Sequence, residues 1–267
     1  MSLGFSVETL VPAGRGGGAL RMGLSRVAER EWLFPDPDLA TRARTFAAHP
    51  GSILIRPEAE AAAREAAAAV GVTGGLTEAA HAVWEDLCLL QPLGPDGMYV
   101  LTAGALAFPT DWHLAEKIGL PVAAIHAPIH GYAEQLADAV DHALATLRAG
   151  PVFGRTNWFV VASADWRYLP DDDPATRFAH VTPDNAGDTL FVRCERQTLR
   201  RLPQSGAILF TIGVAVAPLA ALSPAVVQRV AAGIAAQPDG ERKRRAAPHY
   251  AAPLIGYAAR RTLLEAA

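Results

Sequence analysis

Three histidines, His113, His126 and His130, sit close together in WHLAEKIGLPVAAIHAPIHGY, the stretch from Trp112 to Tyr132. His126 and His130 are four apart, the spacing that sets two imidazoles on one helix face for zinc. Pro128 stands between them and Gly131 follows, and proline disfavours helix at the residue before it. The pair is therefore expected in a loop or at a helix entry. A single histidine held by a proline-bounded turn suits a different chemistry. Haem iron takes one proximal imidazole, whose second nitrogen is oriented by a hydrogen bond. Val122, Ala123, Ala124 and Ile125 can help line the apolar slot such a group needs. The blander use is a structural histidine, its ring satisfied at a helix N-terminus. Local features leave these three uses open.

The second concentration is RCERQTLRRLPQS, from Arg193 to Ser205. Read as a strand, it sets Arg193, Glu195, Gln197 and Leu199 on one face and Cys194, Arg196, Thr198 and Arg200 on the other. Charge on both faces breaks the apolar–polar alternation of a one-sided sheet, as happens where a pocket or partner needs polar groups. An edge strand blunted by charge, or Glu195 paired with a neighbouring arginine, gives the same pattern. Forked arginines suit anionic groups, and Glu195, Gln197 or Thr198 suit a small polar or cationic substrate. Cys194, beside arginines, is the one thiol with a reason for a lowered pKa, whereas Cys88 reads as inert core. Asp171, Asp172 and Asp173, between Pro170 and Pro174, read as a solvated loop.

The elements that must position these residues follow from pattern. GRGGG at 14–18 lacks the Lys-Ser/Thr ending of a phosphate-binding loop, so residues 1–20 are expected as a flexible lead-in to one domain over 21–267. A short strand is expected over Ala19–Leu24. Asp36–Pro37–Asp38 caps a helix over 39–48, and EAEAAAREAAAAV predicts another over 58–70, closed by Gly71. A further helix is expected over 77–84. Two apolar runs, 86–91 and 99–108, read as a hairpin. Helical segments over 112–118 and 133–147 follow, then strands over 157–162, 190–202 and 207–217, and a last helix over 223–236. Strands grouped on both sides of a helical insert predict an α+β fold: a five-stranded antiparallel sheet of PAS-like order with flanking helices.

Composition bounds the function. The 267 residues carry net charge −3, 51% hydrophobic and 19% charged residues, which suits a globular chain and argues against a dedicated nucleic-acid binder. Two cysteines cannot build a disulfide scaffold, a four-thiolate zinc site or a cysteine-held iron–sulfur cluster. The opening residues lack a secretory pattern and no long unbroken apolar run exists, so a cytoplasmic protein that spans no membrane is expected. Of 24 basic residues only Lys117 and Lys243 are lysines. The patch ERKRR at 241–245 reads as a solvated loop or helix end, with docking of an acidic redox partner as the other use.

At this point the residues resemble a known family. W-x-L-x-E-K-x-G-x-P-x-x-x-I-H-x-P from Trp112 to Pro128, followed by Gly131–Tyr132, is similar to the first signature of the haem-dependent oxidative N-demethylases. V-R-x-E-R-Q-T-L-R-R-L-P-x-S-G from Val192 to Gly206, followed by Leu209–Phe210–Thr211–Ile212, resembles the second. The resemblance implies a PAS-like core holding haem b iron through His126. It implies oxidative N-demethylation of a small amine, dimethylamine-like, to the demethylated amine and formaldehyde. The oxidant is O2, and the electrons come from a separate NADPH- and flavin-dependent reductase subunit; homo- and hetero-oligomers both stay open. It places Glu195, Gln197 and Thr198 as catalytic candidates and Arg193 and Arg196 beside the cofactor. His130 replaces a proline of the family pattern, which leaves a spare imidazole near the ligand as a further cofactor-binding candidate, with three uses open: ligating the iron, bonding a propionate, or plain exposure. In the alternative reading the chain is a non-catalytic haem PAS protein that senses or carries a diatomic gas.

Overall fold

The computed structural model describes residues 3–12 and 22–266. In chain order the elements are α1 (Val7–Leu10), β1 (Ser25–Val27), α2 (Leu39–Ala48), β2 (Ile53–Ile55), α3 (Glu60–Ala69), α4 (Leu76–Ala82), β3 (Asp86–Gln91) and β4 (Val100–Ala105). Four short helices follow, α5 (Leu114–Lys117), α6 (Val122–Ile125), α7 (Tyr132–Gln135) and α8 (Ala137–Thr146), and then β5 (Val152–Val161). The chain ends with α9 (Pro174–Arg177), α10 (Ala186–Thr189), β6 (Phe191–Arg201), β7 (Ile208–Pro218), α11 (Pro224–Ala235), α12 (Asp239–Arg244) and α13 (Ala251–Ala266).

The fold is α+β, and its sheet has seven strands in the order β1-β5-β6-β7-β3-β4-β2. All five expected strands are there; the count of five is corrected by β1 and β2, which occupy the two edges. Both are three residues long, too short for a period-two pattern to register. Of the strand expected over Ala19–Leu24, residues 19–21 lie outside the described residues and 22–24 are not strand; the strand that follows, Ser25–Val27, pairs antiparallel with Val152–Gly154 of β5. Part of the expected lead-in loop is helical: α1 buries Val7 and Leu10. The GRGGG segment lies outside the described residues.

Two compact units share the chain, one comprising Leu3 with 22–155 and 196–214, the other 4–12, 156–195 and 215–266. In the first unit α2 starts at Asp38, whose carboxylate accepts from Thr41 N at 2.9 Å. It buries Arg42 completely: the guanidinium donates to Ala80 O (2.6 Å), Trp84 O (2.8 Å) and Glu85 O (2.6 Å) and pairs with Asp86 at 2.9 Å. Asp86 also accepts from Ala107 N at 2.7 Å and Phe108 N at 3.0 Å. One buried ion pair, fully hydrogen-bonded, thus ties α2, α4 and β3 to the chain leaving β4. The core under the helical insert joins Leu90, Leu101 and Ile208 of the sheet to Leu114, Val122 and Leu144, with Ile125, Val140 and Leu199 packed against it.

In the second unit α11 presents Val226, Val227, Val230 and Ile234 as an apolar stripe, and it packs on α13. The helix expected last, over 223–236, is therefore followed by α12 and α13. Pro253 and Gly256 in the first turns of α13 depress its helix propensity, which hides it from pattern reading. The basic patch becomes α12. Its Arg244 and Arg245 turn onto Glu241, and Arg245 also donates to Trp158 O and lies over the Phe159 ring. These two arginines hold structure, and only Lys243 of the patch is exposed. Asp172 pairs with Arg177 at 2.7 Å and Asp173 caps α9, so two of the three loop aspartates serve the local turn.

Candidate functional site

His126 follows the last residue of α6, a single turn started by Pro121 and stopped before Pro128. The break puts His130 on an exposed turn, off any helix face shared with His126, as the prolines demand. His126 Nδ1 lies 2.8 Å from Val122 O, one turn back. A carbonyl oxygen only accepts, so Nδ1 carries the hydrogen, and a neutral ring then has its lone pair on Nε2. Burial holds the imidazole below its ordinary pKa; the positive charges of Arg155 and Lys117 act in the same direction, against the Val122 bond. The ring is stacked on Tyr132 with centroids 4.7 Å apart and planes 10° from parallel. Tyr132 is buried at the start of α7, after a turn that Gly131 makes at φ 74°. A Cβ on Gly131 would also meet the Gln135 side chain at 2.6 Å.

Val122 and Ile125, expected to line a slot, face the core of the first unit, while Ala124 is exposed. Leu199 of β6 packs on that same core. Strand alternation then puts Gln197, half-buried, on the face of the sheet that carries the insert. Thr198 and Arg196 lie on the opposite face. Thr198 is fully buried, its hydroxyl accepting from Trp32 Nε1 at 3.1 Å and lying 2.6 Å from Thr211 Oγ1. Arg196 donates to Trp32 O at 2.8 Å and to Glu31 O, and Arg200 lies over the Trp32 ring at 4.4 Å while pairing with Glu29. Together these side chains strap residues 29–32 to β6.

Glu195 and Arg193 belong to the second unit. Glu195 is buried and accepts from Asn157 Nδ2 at 3.4 Å, and Arg193 donates to Asp165 O at 3.2 Å. Cys194 is fully buried, and desolvation pushes its thiol pKa up, which corrects the expectation of a lowered one. Two residues of the site carried no assigned role at the sequence level: Tyr132, visible only as the aromatic after Gly131, and Arg155, which nothing in GRTNW singles out.

Among the described residues no three His, Cys, Asp or Glu side chains come together as a metal site. Iron held in a haem takes its equatorial ligands from the macrocycle and asks the protein for one axial imidazole. His126 meets that requirement: neutral, oriented through Nδ1, with Nε2 as the donor. The chain also matches, over residues 72–255, a family described as haem-dependent oxidative N-demethylase, alpha subunit-like. It belongs to that family. The match covers more than half of the chain and takes in both the His126 turn and β6. Among the described residues no helix is long and apolar enough to cross a membrane.

Proposed function

We propose that this chain is the haem-bearing subunit of an oxidative N-demethylase acting on a small methylated amine, with His126 Nε2 as the axial ligand of haem b iron. The observation that carries the reading is the His126 Nδ1–Val122 O bond, in a turn that lies inside the family match, which leaves the lone pair on Nε2. The insert between β4 and β5 and the five interior strands support a PAS-like core. When bound, haem supplies the activation of O2 and the oxidation of the N-methyl carbon. Across the whole reaction one oxygen atom leaves in formaldehyde and the other in water, with two electrons from a partner flavin reductase that uses NADPH, one proton from NADPH and one from solvent.

The chain's own residues bind, orient and neutralise. Val122 fixes the tautomer of His126, and buried Tyr132 covers one face of the ring. An amine is a cation at neutral pH, and Glu195 is the carboxylate that pairs with it and takes its proton, since C–H oxidation beside nitrogen is easier in the free amine. Asn157 holds that carboxylate. Gln197 offers a neutral amide to substrate. Thr198, with Trp32 and Thr211, sets the height of β6 under it. Exposed His130 suits a propionate edge and Arg193 is the arginine candidate beside the cofactor, whereas Arg196, on the other face of β6, holds the Trp32 and Glu31 carbonyls.

Purified protein reconstituted with haem tests this reading. A Soret band that shifts or vanishes in His126→Ala, with formaldehyde released from dimethylamine when O2 and an external reductant are supplied, is the expected result. A Soret band without formaldehyde from any small methylamine would favour the gas-binding alternative. An unchanged spectrum in His126→Ala removes the ligand assignment.

A further inference from the structure

One hydrogen bond does not fix an imidazole. The Nδ1–Val122 O contact sets the direction of the ring within its plane but leaves rotation of the plane about the Nδ1···O line. Val122 is also only four residues away, so the contact is made inside one turn and holds nothing to the rest of the fold. Tyr132 supplies what is missing. Its ring lies face-on against His126, 4.7 Å between centroids and 10° between planes, so rotation of the imidazole plane would drive it into the phenol. Tyr132 is itself held: it is 4% exposed, Tyr132 N donates to Ile129 O at 3.1 Å, and Leu136 N donates to Tyr132 O at 2.9 Å. The phenol hydroxyl plays no part in this geometry. Burial and nearby Asp141 push its pKa up to about 12, so it stays neutral.

We infer that Tyr132 is a positioning residue for His126, its ring face locking the imidazole plane so that Nε2 points in one direction. The inference rests on the proposed role of His126, but the lock exists with or without a ligand. It therefore has a readout in the protein before any haem is added.

In histidine-labelled apoprotein, the ring current of Tyr132 is expected to shift the His126 Cδ2–H and Cε1–H resonances upfield, identified by their loss in His126→Ala. Tyr132→Phe should keep that shift and Tyr132→Leu should abolish it, with Tyr132→Met standing in where the leucine variant does not fold. With haem, Tyr132→Phe should bind like the parent, because the ring and not the hydroxyl acts. Tyr132→Leu should lower haem affinity roughly tenfold or more, the range seen when partners that orient a ligand are removed, and should broaden or move the iron–histidine stretching band. A purely structural Tyr132 would change the melting temperature and leave that band in place. If Tyr132→Leu keeps both the parent resonances and the parent band, the inference fails while His126 as ligand stands. If His126→Ala leaves the haem spectrum unchanged, the ligand assignment fails, and the apoprotein resonances still decide whether the lock exists. Loss of the hydroxyl alone weakening haem binding tenfold would overturn the stacking argument.

Discussion

At the scale of single residues, burial and partners decide what each polar group can do. Thr198 resembles a catalytic hydroxyl in sequence, yet its oxygen is flanked by Trp32 Nε1 and Thr211 Oγ1 inside the core. Thr198→Val should therefore lower unfolding free energy by about 1–3 kcal/mol, because it leaves an indole N–H without its acceptor. Demethylation by the folded fraction should stay within a few-fold of the parent, measured by denaturant titration beside a formaldehyde assay. Glu195→Gln makes the opposite prediction. The amide can keep the hydrogen bond from Asn157 and fills the same volume, so amine affinity and turnover should fall by more than stability does. Full turnover with unchanged amine affinity would withdraw Glu195 from the site. Arg42 has a larger stake in stability than either. Replacing it with Met strips the charge partner from buried Asp86 and leaves three carbonyl groups without their donor, a loss of about 3–5 kcal/mol read in urea unfolding.

At the scale of elements, the site depends on short pieces that cannot stand alone. Helix α6 has four residues and α7 has four, far below the length at which a helix is stable in water. They exist because Val122 and Ile125 insert into the core and Gly131 makes the turn between them. Gly131→Ala imposes a side chain at positive φ, so its expected outcome is a displaced Tyr132, read as loss of the His126 ring-current shift, with little change in overall helix content. The β6–β7 hairpin has its own clamp, since Glu65 of α3 accepts from Gln204 N, Ser205 N and Ser205 Oγ. Glu65→Ala should cost about 1–3 kcal/mol without touching the His126 turn.

At the scale of the whole molecule, the charges that matter for stability are carboxylates turned onto donors. Glu65 loses solvation by burial, but the Ser205 hydroxyl and the Gln204 and Ser205 amides outweigh it and hold its pKa below the ordinary value. Asp38, by its Thr41 bonds, and Glu241, despite burial, by Arg244 and Arg245, shift the same way. A carboxyl whose folded pKa is depressed adds stability that is complete above its unfolded pKa and is lost as pH falls through the folded one. His126, held by burial below its ordinary 6.5, must charge as pH falls, which opposes folding from that value downward. Melting temperature against pH should therefore show one loss below about pH 6.5 and a second below about pH 4.5, the ordinary value for Glu65 and Glu241, and the second loss should shrink in Glu65→Gln.

The sequence by itself determined the five interior strands, helix α2 to the residue, the helical insert and the proline-bounded turn that carries His126, because each has a strong local cause. Apolar runs make strands, Asp38 caps a helix, and Pro121 and Pro128 bound a turn. The three-residue edge strands and α13 escaped it, since pairing and packing, not propensity, hold them. The two faces of β6 were written in the alternation but not labelled, because polar residues fall on both. Only the packing of Leu199 under the insert and of Thr198 against Trp32 told them apart. The arginine excess was equally ambiguous: sequence counts charges, but Arg42, Arg196 and Arg245 were committed to backbone carbonyls by contacts between residues distant in the chain. The stack of Tyr132 on His126 is of the same kind. It needs a turn, two one-turn helices and a core beneath them, and no spacing rule encodes a plane-to-plane contact that tertiary packing alone brings about.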